Sequence, residues 1–310
     1  MLNQVGLNAD AEDCAITAIS ETQSLLTNLD IVTPIHDDPY IMGKIAAVNV
    51  TNDIYALNAL HILNYSCFLG LPTDLPPKFA QDMLRGTRDL LKSLGSDIAG
   101  GHTIQNPWPL LGGSVDAIAQ TEHLIQKRGI KTGDHLILTK PLGIHPVMAA
   151  DRAQKADTSW MKDYDTSKID RAISIATKIM TTSNKPIPEI IHSGRFFEGI
   201  HAMTDITGFG FKGHLEEMFL NTNMGARITQ LPVISYALQL DDLFCYGLAE
   251  GESSEIAGPM LIAVGLDVWD DFTTMMTSSN VWWMEIGVIE AGLNGVKFDE
   301  KIIYREIEDY

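Results

Sequence analysis

Between Asp38 and Ala59 the chain is almost entirely small or apolar, with Ile45, Ala46, Ala47, Val48, Val50, Ile54, Tyr55, Ala56 and Leu57 leaving no stripe suited to water. Asp38 supplies an N-cap and Pro39 a first-turn proline, so the spacing predicts a helix from Pro39 to about Ala59. A helix that is apolar all round must be covered on most sides, which demands a sizeable layered fold around it. Set into it are Asn49, Asn52 and Asp53, at i, i+3 and i+4, which form one polar stripe. A carboxylate in such a setting is costly unless it is paired, hydrogen-bonded or bound to a metal. A satisfied packing network and a ligand site both fit this helix taken alone.

The rest of the chain alternates short apolar runs with longer segments of helical period, the pattern of a mixed α/β protein. Strands are expected at Cys14–Ile19, Leu25–Ile35, Cys67–Leu71, Asp97–Gly100 and Leu110–Ala119, with a helix at Pro76–Leu94. The polar, basic stretch Gln126–Gly133 precedes a fresh apolar strand at His135–Thr139, and it sets the expected boundary between domains 1–130 and 131–310. Beyond it, helices are expected at Ser167–Thr182, Pro188–His192 and Phe211–Leu220. Strands are expected at Ile200–Ile206, Met260–Val264, Val281–Ile289 and Lys297–Tyr304.

Composition narrows the partners. With 45% hydrophobic and 20% charged residues the chain is ordinary globular material. Its 22 Lys and Arg against 40 Asp and Glu give a net charge of −18, which argues against nucleic acid or an anionic membrane as partner. Cys14, Cys67 and Cys245 show no metal-ligand spacing, and no apolar run approaches the roughly 18 residues of a membrane span. No leader-like segment opens the sequence, so the expectation is a cytoplasmic protein.

Three further acids share the setting of Asp53. Asp13 enters a strand, Asp30 interrupts Leu29-Asp30-Ile31-Val32, and Asp205 lies in Met203-Thr204-Asp205-Ile206-Thr207-Gly208. None has an adjacent Lys or Arg. Singly, each fits a turn or cap; converging, the four would repel one another unless hard cations lay between them. Oxygen ligands suit Mg²⁺, which sits with one or two carboxylates and substrate phosphates. Two glycine motifs bear on this. Gly100-Gly101-His102-Thr103 permits close backbone approach, although a tight turn explains it as well. Gly208 to Gly213 spells G-x-G-x-x-G, but the acid that a dinucleotide fingerprint needs about 20 residues on is missing from Ile228–Val233. An oxidoreductase is therefore the least favoured reading. His102, His192, His201 and His214 lack metal-ligand spacing and read as core or surface histidines.

In order, these motifs resemble the selenophosphate synthetase (selenide, water dikinase) family, within the aminoimidazole-ribonucleotide synthetase-like superfamily. The resemblance is carried by Glu12-Asp13-Cys14-Ala15-Ile16, Asp37-Asp38-Pro39-Tyr40-Ile41-Met42-Gly43, Asn52-Asp53-Ile54-Tyr55-Ala56, Gly100-Gly101-His102-Thr103, Leu138-Thr139-Lys140-Pro141-Leu142-Gly143 and Thr204-Asp205-Ile206-Thr207-Gly208-Phe209-Gly210. It implies a two-domain α/β fold: an N-terminal mixed sheet with helices that binds ATP and metal and dimerises, and a C-terminal α/β domain. It also implies that ATP is cleaved to AMP while the γ-phosphoryl group passes to selenide. By motif position Asp13, Asp30, Asp53 and Asp205 would hold Mg²⁺. Asp10, Ala11, Glu12, Asp30, Asp53, Gly101, His102 and Thr103 would approach ATP. No catalytic residue is assigned.

The departures from the family pattern matter too. The family carries a glycine-rich stretch with Cys or selenocysteine and a Lys ahead of the Asp13 segment; here twelve residues precede Asp13 and contain neither. Asn28-Leu29 stands where the family has Thr-Thr, and Pro259 stands in a Thr-Ser-Gly-Gly element. The alternative expectation is accordingly an N-terminally truncated or catalytically impaired paralogue serving as a nucleotide-binding or regulatory subunit.

Overall fold

The computed structural model describes residues 12–310. The expected mixed α/β architecture is present as two sheets with helices. The first sheet draws its strands from residues 15–120 in the order β1-β2-β5-β3-β4. These are β1 (Ala15–Ala18), β2 (Gln23–Val32), β3 (Ile62–Leu71), β4 (Gly100–Gln105) and β5 (Leu110–Gln120). All neighbours are antiparallel except β3 and β4, which run parallel because α2 (Pro77–Ser93) crosses over between them.

Helix α1 (Pro39–Ala56) follows β2 and begins as expected, the Asp38 carboxylate accepting from the amides of Tyr40 (2.8 Å) and Ile41 (3.3 Å). It stops at Ala56 and not near Ala59, because Asn58 turns the chain into the left-handed region at φ 62°. Its all-round apolar surface is explained by its neighbours: β2 and β5 beneath it, α2 on another side, and elements of the second half on a third. The α1–α2 contact runs through glycine. A Cβ on Gly43 would lie 2.0 Å from the Met83 carbonyl oxygen, and one on Gly86 would lie 1.9 Å from that of Tyr40, so backbone touches backbone.

The second sheet, of six strands from residues 135–307, has the order β11-β8-β10-β6-β9-β7. Its strands are β6 (His135–Leu138), β7 (Ile200–Asp205), β8 (Met224–Ile234), β9 (Met260–Val264), β10 (Met284–Ala291) and β11 (Gly295–Ile307). Only β8 and β11 pair in parallel. Its helices are α3 (Ile144–Ala156), α4 (Thr166–Thr181), α5 (Pro186–Gly194), α6 (Gly210–Met218), α7 (Ala237–Phe244) and α8 (Trp269–Ser278). The glycine-rich Gly208–Gly213 segment leads from β7 into α6, but β7 is an edge strand antiparallel to β9. It is not part of a parallel dinucleotide-binding unit.

Sequence pattern missed α3, α7, α8 and β8, and it misplaced one strand. Residues 97–99 are not part of β4; instead the Asp97 carboxylate takes the Arg88 guanidinium (2.9 Å) and its own neighbour's amide, Ile98 (2.8 Å). Among the described residues no helix is long and apolar enough to cross a membrane.

Candidate metal and nucleotide site

The period of two in β2 turns Leu26, Asn28 and Asp30 toward α1 and leaves Leu29 and Ile31 exposed. The stripe Asn49, Asn52 and Asp53 on α1 faces them and the second half. β7 ends at Asp205, and Asp13 lies two residues before β1. The result is a cluster in which carboxylate oxygens of Asp13, Asp53 and Asp205 all lie within 4.8 Å of one another. Asp30 stands beside it: the Asn28 side-chain amide donates to Asp30 (3.2 Å), to Asp53 and to the Val50 carbonyl (3.1 Å), and Asn49 also donates to Asp30 (3.3 Å). Asn28, a departure from the family's Thr, thus bridges two of the four acids.

Burial pushes the Asp53 carboxyl well above the ordinary range, and the charges of Asp205, Asp30 and Asp13 push it further. Asp205 is raised to about 7, again by burial first and then by Asp13 and Asp30. Buried oxygens of Asp13 and Asp205 have no hydrogen-bond partner. Orphaned carboxylate oxygens within a few ångströms of one another, in an all-oxygen donor set, fit a hard divalent cation.

One expectation is corrected. Asp13 does have a cation: the Lys127 ammonium lies 2.9 Å from it and 3.2 Å from Glu217, while the Thr204 hydroxyl donates to Asp13 at 3.2 Å. Burial still outweighs the lysine and raises the Asp13 pKa. Lys127 comes from the basic stretch read as a boundary, and nothing local in the sequence ties it to Asp13. Glu12 accepts from the Lys127 amide at 3.0 Å. Asp10 and Ala11 lie outside the described residues.

Gly101, His102 and Thr103 are exposed on the edge strand β4. Register aligns Asp30 with Gly113, Gly113 with Cys67, and Cys67 with Gly101. Three strand spacings of about 4.8 Å put Gly101 roughly 14 Å from Asp30 along the sheet. The motif shares the acids' row but does not touch them.

Asp30, Asn49 and Asp53 open onto a cleft of about 730 Å³ that His145, Arg152, Thr207 and Glu255 also line. The second half is held against α1 by buried amides. Asn184 donates to Asn52 Oδ1 (3.1 Å) and to the Gly258 carbonyl (2.9 Å), and the Ala257 amide donates to Asn49 (2.9 Å). Lys140, fully buried and lowered to about 7 by that burial, donates to the carbonyls of Thr182 (2.7 Å) and Ala257 (2.8 Å). His214, lowered to about 4 by burial and by Lys127, accepts from the Thr207 amide at 3.1 Å and so fixes that turn. His192 binds the Asn58 carbonyl and His201 binds Asp134, as structural histidines do. Of these supporting residues, Asn184 carried no local signal, Lys140 entered only through a motif of the resemblance, and His192, His201 and His214 are the structural histidines expected from the sequence.

The comparisons agree with this architecture. Residues 11–119 match the AIR synthase related protein N-terminal domain, and residues 131–298 match its C-terminal domain. Selenide, water dikinase of Methanococcus maripaludis is 36% identical over 310 residues, covering 98% of this chain and 90% of that protein. The protein of the same name from Methanocaldococcus jannaschii is 39% identical over 268 residues, covering 85% and 76%. Among solved structures, thiamine monophosphate kinase of Aquifex aeolicus superposes with a TM-score of 0.69 at 17% identity, covering 98% of this chain and 96% of that one. The hydrogenase maturation protein HypE in complex with ATP gives 0.68 at 14%, covering 93% and 81%. These two show the shared fold. The chain belongs to the selenide, water dikinase (selenophosphate synthetase) family, within the AIR synthase-related proteins.

Proposed function

We propose that this protein uses Mg·ATP and water to phosphorylate selenide, the γ-phosphoryl group passing to selenide and the β-phosphoryl group to water, giving selenophosphate, AMP and phosphate. The single observation that carries the reading is the convergence of Asp13, Asp53 and Asp205 beside a polar cleft, joined to 36–39% identity with proteins named selenide, water dikinase. Asp13, Asp53 and Asp205, with Asp30 alongside, would hold Mg²⁺, which supplies charge neutralisation for the phosphoryl groups. The protein's own part is positional. Asn28 and Asn49 orient Asp30 and Asp53, and the Asn184 and Lys140 contacts fix the loop at Ala257 and Gly258 beside the cleft. Gly101, His102 and Thr103, with Asp10, Ala11 and Glu12, keep a nucleotide-binding role on motif position.

A homodimer through the first sheet is part of the same reading, supported by the exposed apolar side chains Leu29, Ile31, Leu63 and Ile104 on that sheet. A cytoplasmic location is supported by three free cysteines. The relatives named selenide, water dikinase do not favour the impaired-paralogue alternative. The reading is tested by incubating the protein with ATP, selenide and Mg²⁺ and following phosphorus by NMR. Selenophosphate, AMP and phosphate in equal amounts, lost in Asp53→Asn, is the expected result. ADP as the product, or no turnover, would overturn it.

A further inference from the structure

The cleft is electrically lopsided. Asp30 and Asp53 line it from the first half, and α3 lines it with His145 and Arg152, seven residues apart and therefore on one helix face. Anions in α/β proteins often sit on helix N-termini, but that position on α3 is taken. The Glu255 carboxylate accepts from the amides of Gly143 (2.7 Å) and Ile144 (3.0 Å). A phosphate entering the cleft must find its positive partner elsewhere.

Arg152 is that partner by elimination. Its acidic neighbours are already engaged, since Lys155 bridges Asp37 and Asp151, each at 2.8 Å. Among the described residues Arg152 makes no hydrogen bond or ion pair, although it lines the cleft. His145 is committed through Nδ1 to the Ser254 carbonyl. Arg152 feels the charge of Asp37 but makes no direct pair with it, so its donor fork is unoccupied, and such a fork matches phosphate oxygens bidentately.

We propose that Arg152 is a binding residue for the β- and γ-phosphates of the nucleotide, gripping them from α3. This rests on the phosphotransferase reading above. The acids would hold Mg²⁺, which would neutralise the phosphates, and the guanidinium fork would add a direct contact to the same phosphate chain.

Calorimetry of the full chain with ATP and with AMP, both in Mg²⁺, tests it. Wild type binds ATP; Arg152→Ala binds it about ten- to a hundredfold more weakly, the loss expected for charge-assisted hydrogen bonds. Its affinity for AMP is unchanged, and Arg152→Lys falls between the two. Arg171→Ala, which removes an exposed arginine paired with Asp309, binds ATP as wild type does and so controls for net charge. If Arg152→Ala binds ATP within twofold of wild type, or loses ATP and AMP equally, the assignment is wrong. If wild type itself binds no ATP, the phosphotransferase reading fails and the assignment fails with it.

Discussion

Asp205 shows how a single side chain reports on the whole site. Its folded pKa, about 7, lies above the ordinary carboxylate value of 3.8, so the native state holds the proton more tightly than the unfolded chain. Stability from this group is therefore full below about pH 4 and is lost as pH rises toward 7. In EDTA, melting temperatures of Asp205→Asn and wild type should coincide near pH 4, separate in favour of the variant up to pH 7, and stay apart above it. Added Mg²⁺ should raise the wild type at pH 8 and leave the variant unmoved. A difference that does not vary with pH would contradict this account. Lys127 yields the complementary experiment. Lys127→Met leaves Asp13 and Glu217 facing each other without a cation, and urea unfolding in EDTA should show a loss of about 3 kcal/mol. The double variant with Asp13→Asn should recover part of it; simple addition of the two losses would mean that the pair is not coupled.

At the scale of elements, α1 organises the N-terminal half because it has no face to spare. Gly43→Ala puts a methyl group 2.0 Å from a backbone oxygen that cannot swing aside. Unfolding should show a loss of about 3 kcal/mol, and a neutral result would mean that α2 can slide away. This helix was readable from sequence because its cap, its apolar run and its polar stripe are all local. The four acids were readable for a related reason, each being a charge set among residues that belong inside. What could not be read depends on tertiary pairing. Lys127 meets Asp13 across 114 positions, and Asn184 meets Asn52 across 132. Helix α3 was hidden by Pro146 in its first turn, where a missing amide costs nothing. Strand β8 was hidden by Pro232, which is tolerated because β10 pairs only with residues 224–228 of that strand.

The whole molecule is a two-sheet body whose candidate site is assembled from both halves. Asp13, Asp30 and Asp53 come from the first, Asp205 from the second, and the Asn184 amide joins them through Asn52 and Gly258. Gly258 is confined to glycine because a Cβ there would lie 2.1 Å from the Ile206 carbonyl oxygen. Asn184→Ala should cost about 2 kcal/mol in urea unfolding, because it leaves buried acceptors unpaired. It should also weaken ATP binding, although Asn184 does not line the cleft; unchanged affinity would separate the joint from the site. The most direct measurement of the central claim is ATP affinity as a function of Mg²⁺ concentration. The account predicts that ATP binding requires Mg²⁺, and that Asp53→Asn and Asp205→Asn each raise the Mg²⁺ needed by at least about tenfold, the loss of one charged ligand. Equal ATP affinity in EDTA and in Mg²⁺, or wild-type behaviour in both variants, would contradict it.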